Sequence, residues 1–283
     1  MKKKGRAEAT IIETTRRLKE LTKTCNIDEP ESVKLALANK KWANTTKSTT
    51  VSAYTAYLRF LNKTWTPPRY IIQEKIYFIP TETEIDQLIA SAGKTTATLL
   101  QLLKETGARI GEATNLEWKD IDLEHKTVSI NHPEKGSLPR ILPISDKLKG
   151  MLNNIPKDTS HPFTRTTTAK GLKYTFYQMR RRTAQRLNNP RLLQIHFHTI
   201  RHWKATTEYY KTRDAYHVRA ILGHRSTIMT DRYIHQSETL KDANDEWTCK
   251  VAHNEQEAIK LIETGFQYVN NLGDNTALYR KRK

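Results

Sequence analysis

Five short strings of residues constrain this chain more than any other feature of its sequence. They run over residues 106–112, 135–136, 198–202, 222–224 and 230–233, and their reactive side chains are Arg109, Lys135, His198, Arg201, His224 and Tyr233. Any one string alone is weak, because a Gly-x-Arg turn or a Leu-Gly-His occurs by chance in many proteins. Together they predict a fold that brings cations, histidines and a tyrosine from distant segments into one site.

A site of cations, histidines and a tyrosine suits the cleavage of a phosphodiester. Phosphoryl transfer gathers negative charge on the non-bridging oxygens, so an enzyme without a metal must supply cations there. Arginine suits this task because it stays charged at any working pH and its planar fork donates two parallel hydrogen bonds. We therefore expect Arg109 and Arg201 to hold the two non-bridging oxygens.

The order of the strings, with Tyr233 nine positions after His224, resembles that of the tyrosine recombinases, the phage-integrase and Xer-type family. The resemblance spans about residues 76–240. It implies that Tyr233 is the nucleophile, that His198 supports it, and that His224 donates a hydrogen bond to the phosphate. It also implies that Lys135, on a β-hairpin, protonates the leaving 5′-oxygen. The product would be a 3′-phosphotyrosine bond, formed without ATP, metal or any other cofactor.

Each of these side chains also has an ordinary explanation. Taken alone, Arg109 is a solvated charge at a helix start, Lys135 is an exposed turn lysine, and Tyr233 is a core aromatic. The histidine-rich segment could be a metal site, because histidine is the commonest metal ligand. However, no carboxylate or thiolate partner accompanies His198 and His202 as in zinc motifs. Only the joint pattern favours a catalytic site.

The charge of the chain favours a polyanionic partner. Lysine and arginine number 48 against 30 acidic residues, which gives a formal charge of +18 and a pI near 9.8. Basic surfaces also occur in ribosomal and membrane-surface proteins. Double-stranded DNA is the expected partner, because phosphate neutralisation supplies most non-specific affinity for nucleic acid. The family resemblance further implies a homo-tetramer on paired sites, and a monomer or dimer off DNA.

The sequence favours a cytoplasmic, nucleoid-associated protein without a membrane partner. Cys25 and Cys249 are the two cysteines, and they form neither a disulfide framework nor a zinc spacing. The basic N-terminus lacks the apolar segment of a signal peptide. No run approaches the ~20 apolar residues that a membrane span needs.

Residues 1–75 are expected to form a helical DNA-binding domain. Apolar positions at helical spacing predict helices over residues 7–23, 31–42 and 45–65. Pro67 and Pro68 should end the last helix, because proline lacks the amide donor and restricts its predecessor. Residues 67–80 would be the linker. The lysines of this segment, Lys47 among them, fit the core-binding domain that the family places before its catalytic domain.

Residues 76–242 are expected to form the catalytic domain. Thr81 and Glu84 form a capping box at the start of its first helix, and Gly223 suits a left-handed helix cap. Further helices are predicted over 95–105, 109–115, 166–187, 199–210, 213–222 and 227–236, and strands over 120–123, 127–130 and 140–144. The expected fold class is mainly α-helical with a small antiparallel β-sheet, which is an α+β protein.

Two segments of this domain are expected to meet DNA. Residues 135–144 are similar to the family's β2–β3 hairpin, with Leu138 in place of a common basic residue. The helix over 166–187 is strongly basic with interleaved aromatics, although a solvated amphipathic helix is the alternative. The expected DNA contacts here are Arg140, Lys170, Lys173, Arg180, Arg181 and Arg182.

Residues 243–283 extend beyond the expected tyrosine helix. The pattern predicts a βαββ unit with a strand at 247–252, a helix at 254–263, and strands at 266–269 and 276–279. It resembles tails on archaeal integrase-like proteins, so we expect an archaeal member of the family. The unit could pack on the catalytic domain, contact a neighbouring subunit, or serve only as a stabilising appendage.

The favoured hypothesis is a site-specific DNA recombinase. A type IB topoisomerase uses a closely similar site, but the hairpin lysine and the Leu-Gly-His string favour the recombinase. A catalytically silent DNA-binding protein would lack the nucleophile or an arginine, and the sequence has both.

Overall fold

The structure is a computed structural model that describes residues 5–73, 76–164, 169–227, 230–231, 233, 247–273 and 276–282. The chain folds into two compact units, Met1–Lys75 and Ile76–Lys283. The C-terminal extension belongs to the second unit. The DNA-binding role of the first unit stays a prediction.

The first unit is a helical bundle of α1 (Glu8–Thr22), α2 (Pro30–Asn39) and α3 (Asn44–Phe60). Its core is formed by Leu21, Val33, Leu37, Tyr54 and Leu58, all at most 1% exposed. Helix α3 ends five residues before the predicted residue 65. The chain turns at Asn62, where φ is 55°, and Trp65 then packs edge-on against Tyr54 with ring centres 4.7 Å apart.

The second unit is largely helical. Its helices are α4 (Glu82–Ala90), α5 (Lys94–Thr106), α6 (Ile110–Thr114), α7 (Asp146–Asn153), α8 (Ala169–Arg186), α9 (Phe197–Thr212) and α10 (Ala215–Leu222). The predicted capping box is present at Thr81 and Glu84, and Gly223 caps α10 in the left-handed conformation as expected. Helix α7 was not predicted, although Ser145 caps its first turn and two leucines face the core.

Helix α5 forms the centre of this unit. Leu99, Leu100, Leu102 and Leu103 on successive faces are at most 1% exposed. Polar residues of the same helix, Gln101 and Lys104 among them, are buried as well, so other elements surround it. Helix α9 packs along α5, with further contacts from α4 and α7. The site residues therefore project from a rigid, buried framework.

A small antiparallel sheet joins β1 (Ile121–Asp122), β2 (Thr127–Ile130) and β3 (Arg140–Pro143) in that order. The last pair of β2 and β3 is Ile130 opposite Arg140, so residues 131–139 form the connecting loop. The helices and this sheet confirm the expected α+β fold class.

The C-terminal extension has the predicted βαββ order. It consists of β4 (Trp247–Ala252), α11 (Glu255–Glu263), β5 (Gln267–Gly273) and β6 (Thr276–Arg282), with antiparallel strands in the order β4-β6-β5. Strand β5 continues past the predicted residue 269 because its pairing with β6 extends to Gly273 opposite Thr276, and β6 continues past residue 279 because it pairs with β4 as far as Arg282 opposite Trp247. The ends of these strands are polar, so the alternation of apolar and polar residues does not predict them.

Two predictions fall partly outside the described residues. The basic helix was predicted from residue 166, and α8 is described from Ala169. Of the helix predicted over 227–236, Thr230, Asp231 and Tyr233 are described as helical. Among the helices described, none is both long and apolar enough to cross a membrane.

Candidate active site

Arg109 is held at the start of α6 by neighbours on both sides. Gly107 caps the end of α5 in the left-handed conformation, and Arg109, two residues later, is the N-cap of α6. The Arg109 guanidinium Nη1 donates to Glu112 Oε1 at 3.0 Å and to Ser137 Oγ at 2.5 Å. Its side chain is 11% exposed. These contacts fix the guanidinium while leaving part of it open to a ligand.

Glu112 organises two cations. Its carboxylate accepts hydrogen bonds from the backbone N–H of Arg109 at 2.9 Å and from Arg140 Nη2 at 2.7 Å. Burial alone would raise the pKa of Glu112, but the hydrogen bonds from Arg140 and from the Arg109 backbone outweigh it and lower that pKa. Glu112 is therefore a buried anion that orients both guanidinium groups.

Arg201 lies beneath the site and is 1% exposed. Its Nη1 donates to the carbonyl of Gly107 at 2.7 Å, and its Nη2 donates to the carbonyl of Leu222 at 2.8 Å. These carbonyls terminate α5 and α10, where helices leave acceptors unsatisfied. Burial, and next the charge of Arg109, lower the pKa of Arg201 to about 9, so it remains a cation at neutral pH. Arg201 thus joins two helix ends at the centre of the site.

His224 and Tyr233 complete this centre. His224 Nε2 is 3.2 Å from Arg201 Nη2, and its Nδ1 is 3.1 Å from Thr230 Oγ1. The Tyr233 ring lies nearly parallel to the His224 ring, with centres 6.5 Å apart. Tyr233 is 3% exposed and belongs to an apolar cluster with Val218. The predicted nucleophile is thereby placed next to the predicted phosphate-binding groups.

A histidine without a predicted role contacts the tyrosine. His202 Nδ1 lies 3.0 Å from the Tyr233 hydroxyl oxygen. His198 is exposed, and its ring meets the His202 ring edge-on at 4.5 Å between centres. The structure therefore brings His202, rather than His198, to the phenolic oxygen. Its position one helical turn after His198 on the same helix was the signal that could have found it.

Lys135 occupies the tip of the hairpin loop. Lys135 and Gly136 have φ values of 55° and 70°, which form the predicted turn, and Lys135 is exposed. The loop is attached to the segment around His224: Leu138 N donates to the carbonyl of Gly223 at 2.9 Å, and Arg225 Nε donates to the carbonyl of Gly136 at 2.6 Å. These bonds hold the lysine loop beside the rest of the site.

The predicted DNA contacts of α8 divide into exposed and buried residues. Those that are exposed are Lys170, Lys173, Arg181 and Arg182. Arg180 is 4% exposed, and its guanidinium donates to the Ile195 carbonyl and lies beside His196. These partners hold the Arg180 guanidinium inside the protein, and its contact with DNA stays a prediction.

Arg140 and Lys47 are likewise engaged within the protein. The Arg140 side chain is 6% exposed because it pairs with Glu112. The Lys47 ammonium donates to the carbonyl of Ala38 at 3.2 Å and lies 5.5 Å from the Tyr70 ring centre. The Arg140 guanidinium supports the site through Glu112, and direct DNA contact by Arg140 and by Lys47 stays a prediction.

The alternative of a metal site at His198 and His202 requires a group of ligand side chains around them. Within the described ranges, no three His, Cys, Asp or Glu side chains are grouped as a metal ion requires. The contacts of His202 include the Tyr77 and His198 rings and the Tyr233 hydroxyl.

A family model and two known proteins are similar to this chain in sequence. The model of the phage integrase family matches residues 80–239. The tyrosine recombinase XerC of Staphylococcus haemolyticus is 28% identical over 221 residues, which are 68% of this chain and 72% of that protein. The XerC of Pediococcus pentosaceus is 30% identical over 153 residues, 48% of each chain. These relatives are bacterial, and the expected archaeal origin gains no support from them.

Two solved structures share the fold. The integrase of transposon Tn1549, bound to transposon right end DNA, has a TM-score of 0.65 at 14% identity, covering 83% of this chain and 93% of that one. A lambda integrase tetramer bound to a Holliday junction has a TM-score of 0.65 at 14% identity, covering 81% and 72%. At this identity the likeness concerns the fold.

Proposed function

The chain belongs to the phage integrase family, and from that premise we propose that it is a site-specific tyrosine recombinase. The observation that carries this proposal is the convergence of Arg109, Arg201, His224 and Tyr233 from four separate segments around one buried centre. Structural ion-pair networks also gather arginines, but they do not require a tyrosine hydroxyl at the same place.

The reaction follows from the charges of these groups. The Tyr233 oxygen attacks the phosphorus, and the bond to the 5′-oxygen breaks. Arg109 and Arg201 stabilise the charge that develops on the non-bridging oxygens. Lys135 gives its proton to the leaving 5′-oxygen. The phosphotyrosine linkage replaces one phosphate ester by another, so a second 5′-hydroxyl reverses the step without ATP.

The partner of this site is double-stranded DNA. The exposed cations of α8 alternate with Tyr174 and Tyr177, which are 66% and 44% exposed. Such a basic, aromatic face offers contacts to phosphate and sugar. By analogy with the lambda integrase tetramer on a Holliday junction, we propose four copies on paired sites. The helical first unit would bind the same duplex, and the protein would act on nucleoid DNA in the cytoplasm.

A type IB topoisomerase remains the second candidate, because its chemistry needs the same groups. The attachment of the loop that carries Lys135 to the Leu-Gly-His segment supports the recombinase assignment.

A two-site exchange assay tests the proposal. A duplex selected from a random pool for tight binding is placed twice in one plasmid, and products are analysed in excess EDTA. We expect exchange between the two sites without metal. Relaxation of a plasmid that carries no selected site, with no exchange, would instead assign the chain to the topoisomerases.

A further inference from the structure

His202 is better placed than His198 to act on the tyrosine. Its Nδ1 is 3.0 Å from the Tyr233 hydroxyl oxygen, within normal hydrogen-bond distance. His202 is 7% exposed and Tyr233 is 3% exposed, so this contact is shielded from bulk water. His198, one turn earlier on α9, is exposed and lines a groove with Lys173 and Tyr177 of α8. That position suits contact with DNA rather than with the phenol.

The protein holds the His202 ring in a fixed plane. The Tyr77 ring stacks on it with centres 4.2 Å apart and an angle of 16°, and the His198 ring meets it edge-on. Tyr77 lies in the segment that precedes α4, outside the helix that carries His202. Rings from two segments therefore fix the direction in which the imidazole nitrogen points. A proton acceptor must be oriented in this way before it can help in a transition state.

We propose that His202 is the catalytic base that accepts the phenolic proton of Tyr233. This inference rests on the proposed recombinase function. As the Tyr233 oxygen bonds to phosphorus, its proton moves to Nδ1 of neutral His202. The 5′-oxygen leaves with a proton from Lys135, and the reverse step returns both protons. One imidazole and one ammonium thus take part, and neither proton must cross the site.

The surroundings of His202 define its pH behaviour. The titratable groups that contact it include Tyr77, His198 and Tyr233. The His224 ring lies nearly parallel to the Tyr233 ring and contacts Arg201, and the positive charge of Arg201 favours the phenolate over the phenol. The base is effective only while its imidazole is neutral, so cleavage should fall at acid pH with the protonation of His202.

Single-turnover cleavage of a nicked suicide duplex, selected for tight binding, tests this role with two matched variants. His202→Gln keeps a polar side chain but cannot take up a proton, and we expect a loss of about 10²- to 10⁴-fold with the acidic limb of the pH–rate profile abolished. His198→Gln should keep that limb. A fluorinated tyrosine at position 233, whose phenol ionises more easily, should restore much of the His202→Gln loss.

The outcomes separate this inference from the proposed function. No covalent adduct from the unaltered protein at any pH would refute the recombinase assignment itself. An adduct that forms normally in His202→Gln, or a lost acidic limb in His198→Gln, would overturn only the role of His202. A His202→Gln loss that fluorotyrosine does not relieve would assign His202 a structural role and also overturn the proposal.

A second measurement does not depend on the folding of a His202 variant. In the full chain with ¹⁵N-labelled histidine, Tyr233→Phe removes the hydroxyl and should change the Nδ1 resonance of His202 while leaving that of His198 nearly unchanged. An unchanged His202 resonance would mean that the hydrogen bond is absent in solution, and the proposal would fail.

Discussion

At the scale of single residues, Arg201 combines two tasks. Its guanidinium bonds the terminal carbonyls of α5 and α10, and it lies 3.2 Å from His224 Nε2. Removing it takes a cation from the site and also leaves two buried carbonyls without their donor. An unsatisfied buried acceptor costs roughly 1–3 kcal/mol, so stability and chemistry should suffer together. Arg109 bonds side chains and is partly exposed, so its loss should affect chemistry more than stability.

We therefore expect Arg109→Ala and Arg201→Ala each to reduce cleavage of the suicide duplex by roughly 10²-fold or more. Binding should weaken far less, because many other cations contact phosphate. Arg182→Ala, an exposed residue of α8, serves as the control and should weaken binding with little effect on the rate of bound complex. Near-normal cleavage by either arginine variant would exclude that residue from the site.

A separate prediction concerns Lys135, because its proposed role is to protonate the leaving 5′-oxygen. Lys135→Ala should be slow on normal DNA and largely restored on a substrate with a 5′-bridging sulfur, since a thiolate leaves without a proton. The Arg109→Ala and Arg201→Ala variants should not be restored, because their defect lies on the non-bridging oxygens. Equal restoration of all three, or none for Lys135→Ala, would assign the leaving-group proton to another residue.

At the scale of elements, the site depends on the docking of the hairpin loop against the end of α10. Gly223 makes this close approach with φ at 67°, and an added Cβ would lie 2.8 Å from the carbonyl oxygen of Leu138. The same Leu138 donates its N–H to the Gly223 carbonyl. Both the conformation and the space therefore require glycine.

Gly223→Ala should displace the loop, lower the free energy of unfolding and reduce cleavage. Gly150→Ala is the matched control: Gly150 lies inside α7 with no atom within 4 Å of an added Cβ, and alanine there should stabilise the helix by roughly 0.5–1 kcal/mol. Urea unfolding and the cleavage assay measure both effects. If Gly223→Ala behaved like the control, the loop would not depend on this contact.

The elements also show which features a sequence can predict. Periodic apolar residues, the box at Thr81 and the cap at Gly223 predicted most helices because these signals are local. The early end of α3 depends on Trp65 packing against Tyr54, and the burial of Arg180 depends on the Ile195 carbonyl. Such contacts join distant or differently oriented segments, so a one-dimensional pattern does not contain them.

The same distinction holds within the site. The strings predict six reactive side chains, of which the fold brings Arg109, Arg201, His224 and Tyr233 together, but the contact of His202 with Tyr233 spans 31 positions and was missed. The support of Glu112 for Arg140 was also missed, because a basic residue on a hairpin strand is more simply predicted to meet DNA. Patterns predict candidate reactive residues, and the fold shows how they are held.

At the scale of the whole molecule, buried and half-buried carboxylates that pair with cations link stability to pH. Glu84, Glu112 and Glu208 all have pKa values below their usual 4.5. In each case burial opposes the shift, and bonds from Arg191, Arg140 and Lys204 respectively outweigh it. A folded-state pKa below the unfolded one contributes stability above the unfolded pKa and loses it as pH falls through the folded pKa.

The free energy of unfolding of the full chain should therefore fall as the pH drops below about 4.5. Glu112→Gln, which cannot ionise, should be less stable at neutral pH and should lose less on acidification than the unaltered protein. Urea unfolding over a pH series measures both slopes. Equal slopes for the two proteins would show that Glu112 has no part in the acid dependence.

In the proposed reaction Tyr233 forms the covalent bond to DNA. The measurement is incubation of the full chain with a nicked suicide duplex, followed by denaturing electrophoresis and mass spectrometry of the adduct. We expect a denaturant-resistant complex in excess EDTA, with the 3′-phosphate attached to Tyr233. Tyr233→Phe should bind the duplex normally and give no adduct. A covalent complex with Tyr233→Phe, or one attached to another residue, would contradict the account.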